Sequence, residues 1–236
     1  MIENRAVMVE TKDLVKSYKL GDNTVRALRG VDLKVMEGER VAIMGPSGSG
    51  KTTLLNILGA LDAPTSGKVI INGVDISDKS DGELTLVRRH MIGPVFQFYN
   101  LIPVLTALEN VELPMIFAGS PKKARAERAK QLLKAVGLGN RMDHRPDELS
   151  GGEQQRVAIA RALANNPSII LGDEVTGDLD TKNGQEIVTM LLKLSKEENK
   201  TLIIVTHDPS VGARMDRILR IKDGVIEDNG NGNGNH

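Results

Sequence analysis

VAIMGPSGSGKTTLLNIL, Val41 to Leu58, decides how this chain is read. It opens on a continuously apolar run, as a buried strand does, and closes on a helix-favouring segment. Between them GPSGSGKT, Gly45 to Thr52, fills every fixed position of G-x-x-x-x-G-K-[ST]. Strand, glycine loop and helix in that order is the context the motif requires. Glycines let backbone N–H groups turn inward around phosphates. The following helix adds roughly half a positive charge at its start. In such a loop Lys51 reaches the β- and γ-phosphates, and the Thr52 hydroxyl takes a place on Mg²⁺. Gly45, Pro46, Ser47, Gly48, Ser49, Gly50, Lys51, Thr52 and Thr53 therefore form the expected phosphate cradle.

Composition sets the outer bounds. The chain has 236 residues, 40% hydrophobic and 26% charged, ordinary globular values. Its 31 basic and 31 acidic residues balance, so bulk charge points to neither nucleic acid nor a membrane surface. With no Cys there is no disulfide framework and no thiolate metal site. The N-terminus has no signal-like apolar run. The most apolar stretch, Met91 to Leu108, is broken by Gly93, Pro94, Gln97, Asn100 and Pro103. A soluble chain is expected, with any membrane link made through a partner.

Short β-type runs alternate with helical patterns, which indicates an α/β fold. The expected strands are AVMVET, ERVAIM, KVIING, SIILGD, TLIIVT and RILRIKDGVI. The first and third read as an antiparallel layer beside a parallel, P-loop NTPase type sheet. PKKARAERAKQLLKAVGLG reads as a helix, with Pro121 near its start, Gly137 near its end and Leu132, Leu133 and Val136 on one face. One domain over residues 1–228 follows. Its α/β core spans about 6–85 and 164–228, and a helical subdomain is inserted over about 86–163. The Gly/Asn-rich tail, 229–236, is expected to be disordered.

IILGDEVTGDLD, Ile169 to Asp180, carries an apolar strand into carboxylates. An Asp at such a strand tip beside a P-loop is a Mg²⁺ anchor, which assigns Asp173. Adjacent strand residues point oppositely, so Glu174 can share that site only where the strand ends. There it would face the attacking water as general base. His207 follows the strand LIIVT and would sit at the same sheet edge if the strands are parallel neighbours, placed to contact a γ-phosphate or water. Gln97 follows PVF; its amide can bond metal-bound and lytic water, and the residues alone leave that role open.

LSGGEQQR, from Leu149, adds a second glycine-rich helix entrance, with Ser150 placed to cap. A chain with a complete phosphate loop has no evident need of another. With GPSGSGKTT, FQ, LSGGEQQR, ILGDE and TH in this order, the chain resembles the nucleotide-binding subunit of ATP-binding cassette (ABC) transporters over roughly residues 6 to 228. FQFYNLIPVLTALENVELP resembles the subgroup that serves lipoprotein-release and macrolide exporters.

The resemblance implies an ATPase with ATP and Mg²⁺ as ligands. It implies that Tyr18 stacks on adenine, that Gln97 links Mg²⁺ to a membrane partner, and that Asp180 communicates across a dimer. It makes Glu174 the base and His207 the γ-phosphate contact. Ser150, Gly151 and Gly152, with Glu153 behind them, form the signature. In a head-to-tail homodimer they would cap the γ-phosphate held by the partner's P-loop, which explains the second entrance. An integral membrane permease is the expected second partner. Of only two Tyr and three Phe in the chain, Phe96, Phe98 and Tyr99 flank Gln97. Aromatics are enriched in interface cores, so Phe98 and Tyr99 are expected to line a groove for a short permease helix. The implied location is the cytoplasmic face of the cell membrane, through that permease.

Two departures from the family pattern stand out. Val175 replaces the usual Pro after the catalytic Glu, which predicts a looser loop. Pro94 lies in a strand, which predicts an edge strand or a late start. A soluble ABC ATPase acting on DNA or ribosomes is the alternative. There is no room for long coiled-coil insertions, only one P-loop, and no basic footprint for nucleic acid.

Overall fold

A computed structural model of the chain describes residues 5–227. The tail expected to be disordered lies outside them. In chain order the strands are β1 (Val7–Leu20), β2 (Asn23–Met36), β3 (Arg40–Met44), β4 (Ser66–Ile71), β5 (Val74–Asp75), β6 (Ile92–Val95), β7 (Ile169–Asp173), β8 (Thr201–Val205), β9 (Arg217–Lys222) and β10 (Val225–Glu227). The longer helices are α1 (Lys51–Leu58), α2 (Asp81–Met91), α3 (Ala107–Phe117), α4 (Lys122–Ala135), α5 (Gly151–Ala162) and α6 (Thr181–Glu197). None is long and apolar enough to cross a membrane among the described residues. The chain divides into two compact units, Met1–Ser80 with Val205–His236, and Asp81–Ile204.

In the first unit β1 pairs antiparallel with β2 and β4, and β4 with β5. A second sheet there sets β3 parallel to β9, with β10 antiparallel beyond it. Val41, Ala42 and Ile43 of β3 are fully buried, as their unbroken apolar run predicts. Leu54, Ile57 and Leu58 of α1 are buried as well, each worth roughly 1.5–3 kcal/mol relative to exposure. The β1–β2 hairpin is longer than the sequence expectation, which ended the first strand at Thr11 and placed none at 23–36. Irregularities explain the miss. Asp13 adopts φ 45 and Gly30 φ 89, and the register shifts between Thr11 and Leu14. Buried Leu28 and Val31 are three apart, while Val31, Leu33 and Val35 alternate. A bulge thus hides the period of two. RILRIKDGVI is likewise two strands, because Asp223 and Gly224 adopt φ 48 and 79, the left-handed pair of a tight hairpin.

In the second unit β6 runs parallel to β7, and β8 lies next to β7. β6 is the outermost strand of its sheet, so Pro94 costs no ladder bond on its open side. The expected helix is α4, which ends before Gly137 at φ 80 and buries Leu132 and Leu133. α3 begins at a Thr106–Glu109 capping box. The fully buried Asn110 ties its amide nitrogen to the carbonyls of Ile102, Leu105 and Thr106, holding the loop before α3. The architecture is the expected α/β P-loop NTPase fold with its antiparallel layer and helical elements.

Candidate functional site

In the first unit the loop Gly45–Gly50 joins β3 to α1. Sterics dictate its glycines. A Cβ on Gly45 would stand 2.1 Å from the Ile221 carbonyl oxygen, and one on Gly50 2.5 Å from that of Ala27. Gly48 meets nothing, but its φ of 77 favours glycine. Gly50 caps α1 without a side-chain hydrogen bond, so the first-turn N–H groups of α1 are left to other acceptors. Lys51 folds back over the loop and donates to the carbonyls of Gly45 and Pro46, both at 2.9 Å. The Ser49 hydroxyl is buried with no hydrogen-bond partner. A polar cradle of this kind, with a Lys over it and an uncapped helix start behind it, fits a phosphate chain.

Tyr18 stands beside that cradle. Its hydroxyl donates to Asp62 at 2.8 Å and bonds the Thr53 side chain of α1. Burial, then the Asp62 hydrogen bond, pushes its phenol pKa up. Lys16 lies 4.9 Å from the ring centroid and donates to Asp62 at 2.6 Å. Burial raises the Asp62 pKa, but the hydrogen bonds from Lys16 and Tyr18 outweigh it, for a net lowering. The sequence reading named Tyr18 and Thr53 but missed Lys16 and Asp62; only the two-residue spacing from Lys16 to Tyr18 hinted at a shared face. His207, exposed, follows Thr206, whose N–H donates to Ile43 two residues before Gly45. Asp208 caps the turn after it by accepting from the Ser210 N–H.

In the second unit β7 ends at Asp173, and Glu174 turns into the left-handed region at φ 46. The alternation of the strand stops there. Gln97 donates to Asp178 at 3.3 Å and packs where a Cβ on Gly177 would stand. Gln155 of α5, fully buried, donates to the carbonyls of Val175 at 2.8 Å and Phe96 at 3.4 Å. Val175 is 2% exposed. Where the missing proline led to the expectation of a looser loop, burial of the Val175 side chain and the Gln155 hydrogen bond anchor it.

Ser150 caps α5 in a full capping box with Glu153. Glu153 Oε2 accepts from both the Ser150 N–H and its hydroxyl, each at 2.9 Å, and Oε1 lies 3.3 Å from Arg141 Nε. Those Ser150 and Arg141 contacts outweigh partial burial and lower the Glu153 pKa. A Cβ on Gly151 would stand 2.9 Å from the Tyr99 hydroxyl, and one on Gly152 3.5 Å from Asn183 Oδ1. Asn183 in turn donates its backbone N–H and side-chain amide to Asp180, the cap of α6, and these bonds lower the Asp180 pKa. Gln155, Asn183 and Arg141 had escaped the sequence reading, since each acts through another residue.

Phe98 and Tyr99, expected to line a groove, are not among the residues that line the cavity beside their loop. A cavity of about 280 Å³ is lined by Phe96, Asn100, Pro94, Phe117 and Arg161 among others. Tyr99 and Asn100 both adopt left-handed φ, 54 and 49, so successive side chains diverge. Phe98 is left 70% exposed, and Tyr99 turns to Gly151. Arg161 donates to the Tyr99 carbonyl at 2.6 Å and to that of Asn100, and burial lowers its pKa.

The sequence matches the ABC transporter family over residues 28–177. The chain belongs to that family. It is an ATP-binding cassette and an ATPase. It is 48% identical to the lipoprotein-releasing system ATP-binding protein LolD of Syntrophus aciditrophicus, over 93% of this chain and 98% of LolD. Identity to the macrolide export ATP-binding/permease protein MacB of Marinobacter nauticus is 50%, over 94% of this cassette but 35% of MacB. The fold superposes on the cassette MJ0796, solved as a dimer in a post-hydrolysis state bound to ADP and Pi, with a TM-score of 0.86 and 52% identity over 93% of this chain and 97% of the other.

Proposed function

We propose that this cassette works as a head-to-tail homodimer, with two ATP molecules in its interface, and drives a membrane permease of the lipoprotein-release or macrolide-export kind. The observation that carries the dimer is the start of α5. Ser150 is exposed there, and the entrance carries two glycines in a second compact unit that lacks the P-loop. A relative with this fold has been solved as a dimer with ADP and Pi.

In this reading the chain works as one cassette domain over 1–228, with 86–163 as its helical part. Gly45 to Thr53 and Tyr18 hold the nucleotide. Thr52, Gln97 and Asp173 are the residues that would hold Mg²⁺, which would supply positive charge for the phosphates. Glu174 takes a proton from the attacking water, His207 contacts the γ-phosphate, and Gln97 orients water and metal. Ser150, Gly151 and Gly152 cap the partner's γ-phosphate, with Glu153 holding the Ser150 cap from behind, and Asp180 relays across the interface. γ-Phosphate contacts favour the closed pair, and hydrolysis reopens it.

The groove and its apolar surroundings suit the permease. Phe98, Val104 and Phe117 are 70%, 74% and 65% exposed. The likeness to LolD and MacB supports such a partner, and it would hold the cassette at the cytoplasmic face of the membrane. The test is Glu174→Gln with Mg-ATP. The variant should bind ATP, lose turnover and run as a dimer in gel filtration. A variant that turns over, or that stays monomeric at saturating ATP, sinks the reading.

A further inference from the structure

We infer that Arg141 is a positioning residue of the γ-phosphate cap, neutralising Glu153 so that a signature bearing a carboxylate can face a phosphate. This role deepens the head-to-tail reading and rests on it. The difficulty it resolves is electrostatic. Glu153 is the third residue of α5, behind the N–H groups that would meet the nucleotide. A carboxylate at N3 stabilises the helix start, but it also cancels the positive end that attracts an anion.

The geometry around Glu153 divides its two oxygens. Oε2 serves the cap, taking the Ser150 N–H and hydroxyl. Oε1 faces Arg141 at 3.3 Å. The guanidinium is itself held. Its Nη1 lies 3.0 Å from His144 Nε2, and its loop is fixed to the start of α3 by Ala107 N–H to His144 O at 2.8 Å and Leu108 N–H to Met142 O at 2.9 Å. Arg141 thus lies on a braced loop, and its charge reaches Ser150 through Glu153.

The pair is partly exposed, with side chains 42% and 27% accessible, so its effect is that of a screened surface pair. That corresponds to about three- to fivefold per site. A symmetric dimer has two such sites and takes up two ATP, so removal of Arg141 should lower the dimer constant by about tenfold or more and raise the ATP concentration for half-dimerisation about three- to fivefold.

The experiment uses the full chain in the Glu174→Gln background, with dimer read by sedimentation against ATP and binding to the dilute monomer read with a fluorescent ATP analogue. Arg141→Gln should raise the ATP concentration for half-dimerisation about three- to fivefold and leave monomer binding unchanged. Arg141→Lys should recover most of the loss. In the Glu153→Gln chain, Arg141→Gln should cost less than about twofold, because the carboxylate is gone. An equal loss with and without Glu153→Gln, or no loss at all, overturns the role. If the parent Glu174→Gln chain never dimerises, the head-to-tail reading itself has failed, and that result is distinguishable because no Arg141 variant is involved.

Discussion

Gln155 donates its side-chain amide to the carbonyl of Val175 at 2.8 Å, fastening the signature helix to the loop that follows Glu174. Gln155 is 0% exposed, and the same nitrogen reaches Phe96 O beside Gln97. One buried amide therefore registers both the Gln97 loop and the Glu174 loop against α5. At Val175 these tertiary contacts hold the backbone that a proline ring would otherwise restrict.

Gln155→Ala leaves the Val175 carbonyl buried without its donor. The cost should be about 1–3 kcal/mol. In a chain of this size that lowers Tm by roughly 2–4 °C per kcal/mol. Turnover should fall further than ATP affinity, since the P-loop is untouched. Calorimetry and a separate nucleotide titration check it; equal losses in both would deny the loop-registering role.

Gly151 is constrained by shape as well as by charge. Gly151→Asp sets a carboxylate against a phosphate, but any Cβ there already meets the Tyr99 hydroxyl at 2.9 Å. Gly151→Ala alone should therefore reduce ATP-dependent dimerisation. Adding Tyr99→Phe removes the clashing oxygen and leaves Cζ at 3.8 Å, so the double variant should regain much of the loss. A double variant no better than Gly151→Ala would show that the contact does not limit closure.

Much of this was legible in the sequence, for identifiable reasons. β3, β7 and β8 carry apolar runs next to motif residues, the P-loop follows β3 directly, and local chemistry dictates them. The Ser150 cap was legible because its partner lies three residues away. β2 was not legible, because Gly30 interrupts its period, opposite Asp13 of β1, at a bulge whose geometry depends on the pairing of the two strands. Gln155 and Asp62 were not legible either. Their partners are 20 residues away for Gln155 and Val175, and 44 for Asp62 and Tyr18. The divergence of Phe98 and Tyr99 follows from a left-handed turn at two non-glycine residues, which no side-chain pattern announces.

Glu153 should give the stability of the second unit an acid-sensitive component. Its folded pKa lies below the ordinary 4.5, through hydrogen bonds from Ser150 and the Arg141 charge. A depressed carboxylate contributes stability that is present above its unfolded pKa and lost as pH falls through the folded value. The Tm difference between the parent chain and Glu153→Gln should hold steady from neutral pH to about pH 5 and close below that. Partial exposure makes the effect small and salt-sensitive. A difference independent of pH would mean that Gln caps as well as the carboxylate does.

Phe98 and Tyr99, neighbours in sequence, should separate in function. Phe98 is 70% exposed, whereas Tyr99 reaches the signature. Phe98→Ser should leave the ATPase of the isolated cassette intact and abolish its stimulation by a permease. Phe117→Ser, on the cavity wall, should behave the same way. Tyr99→Ser should instead lower the activity of the isolated cassette, because the ring that braces Gly151 is lost. Basal and permease-stimulated rates, measured on each variant, decide this. If Phe98→Ser and Tyr99→Ser have the same profile, the two side chains serve one surface after all.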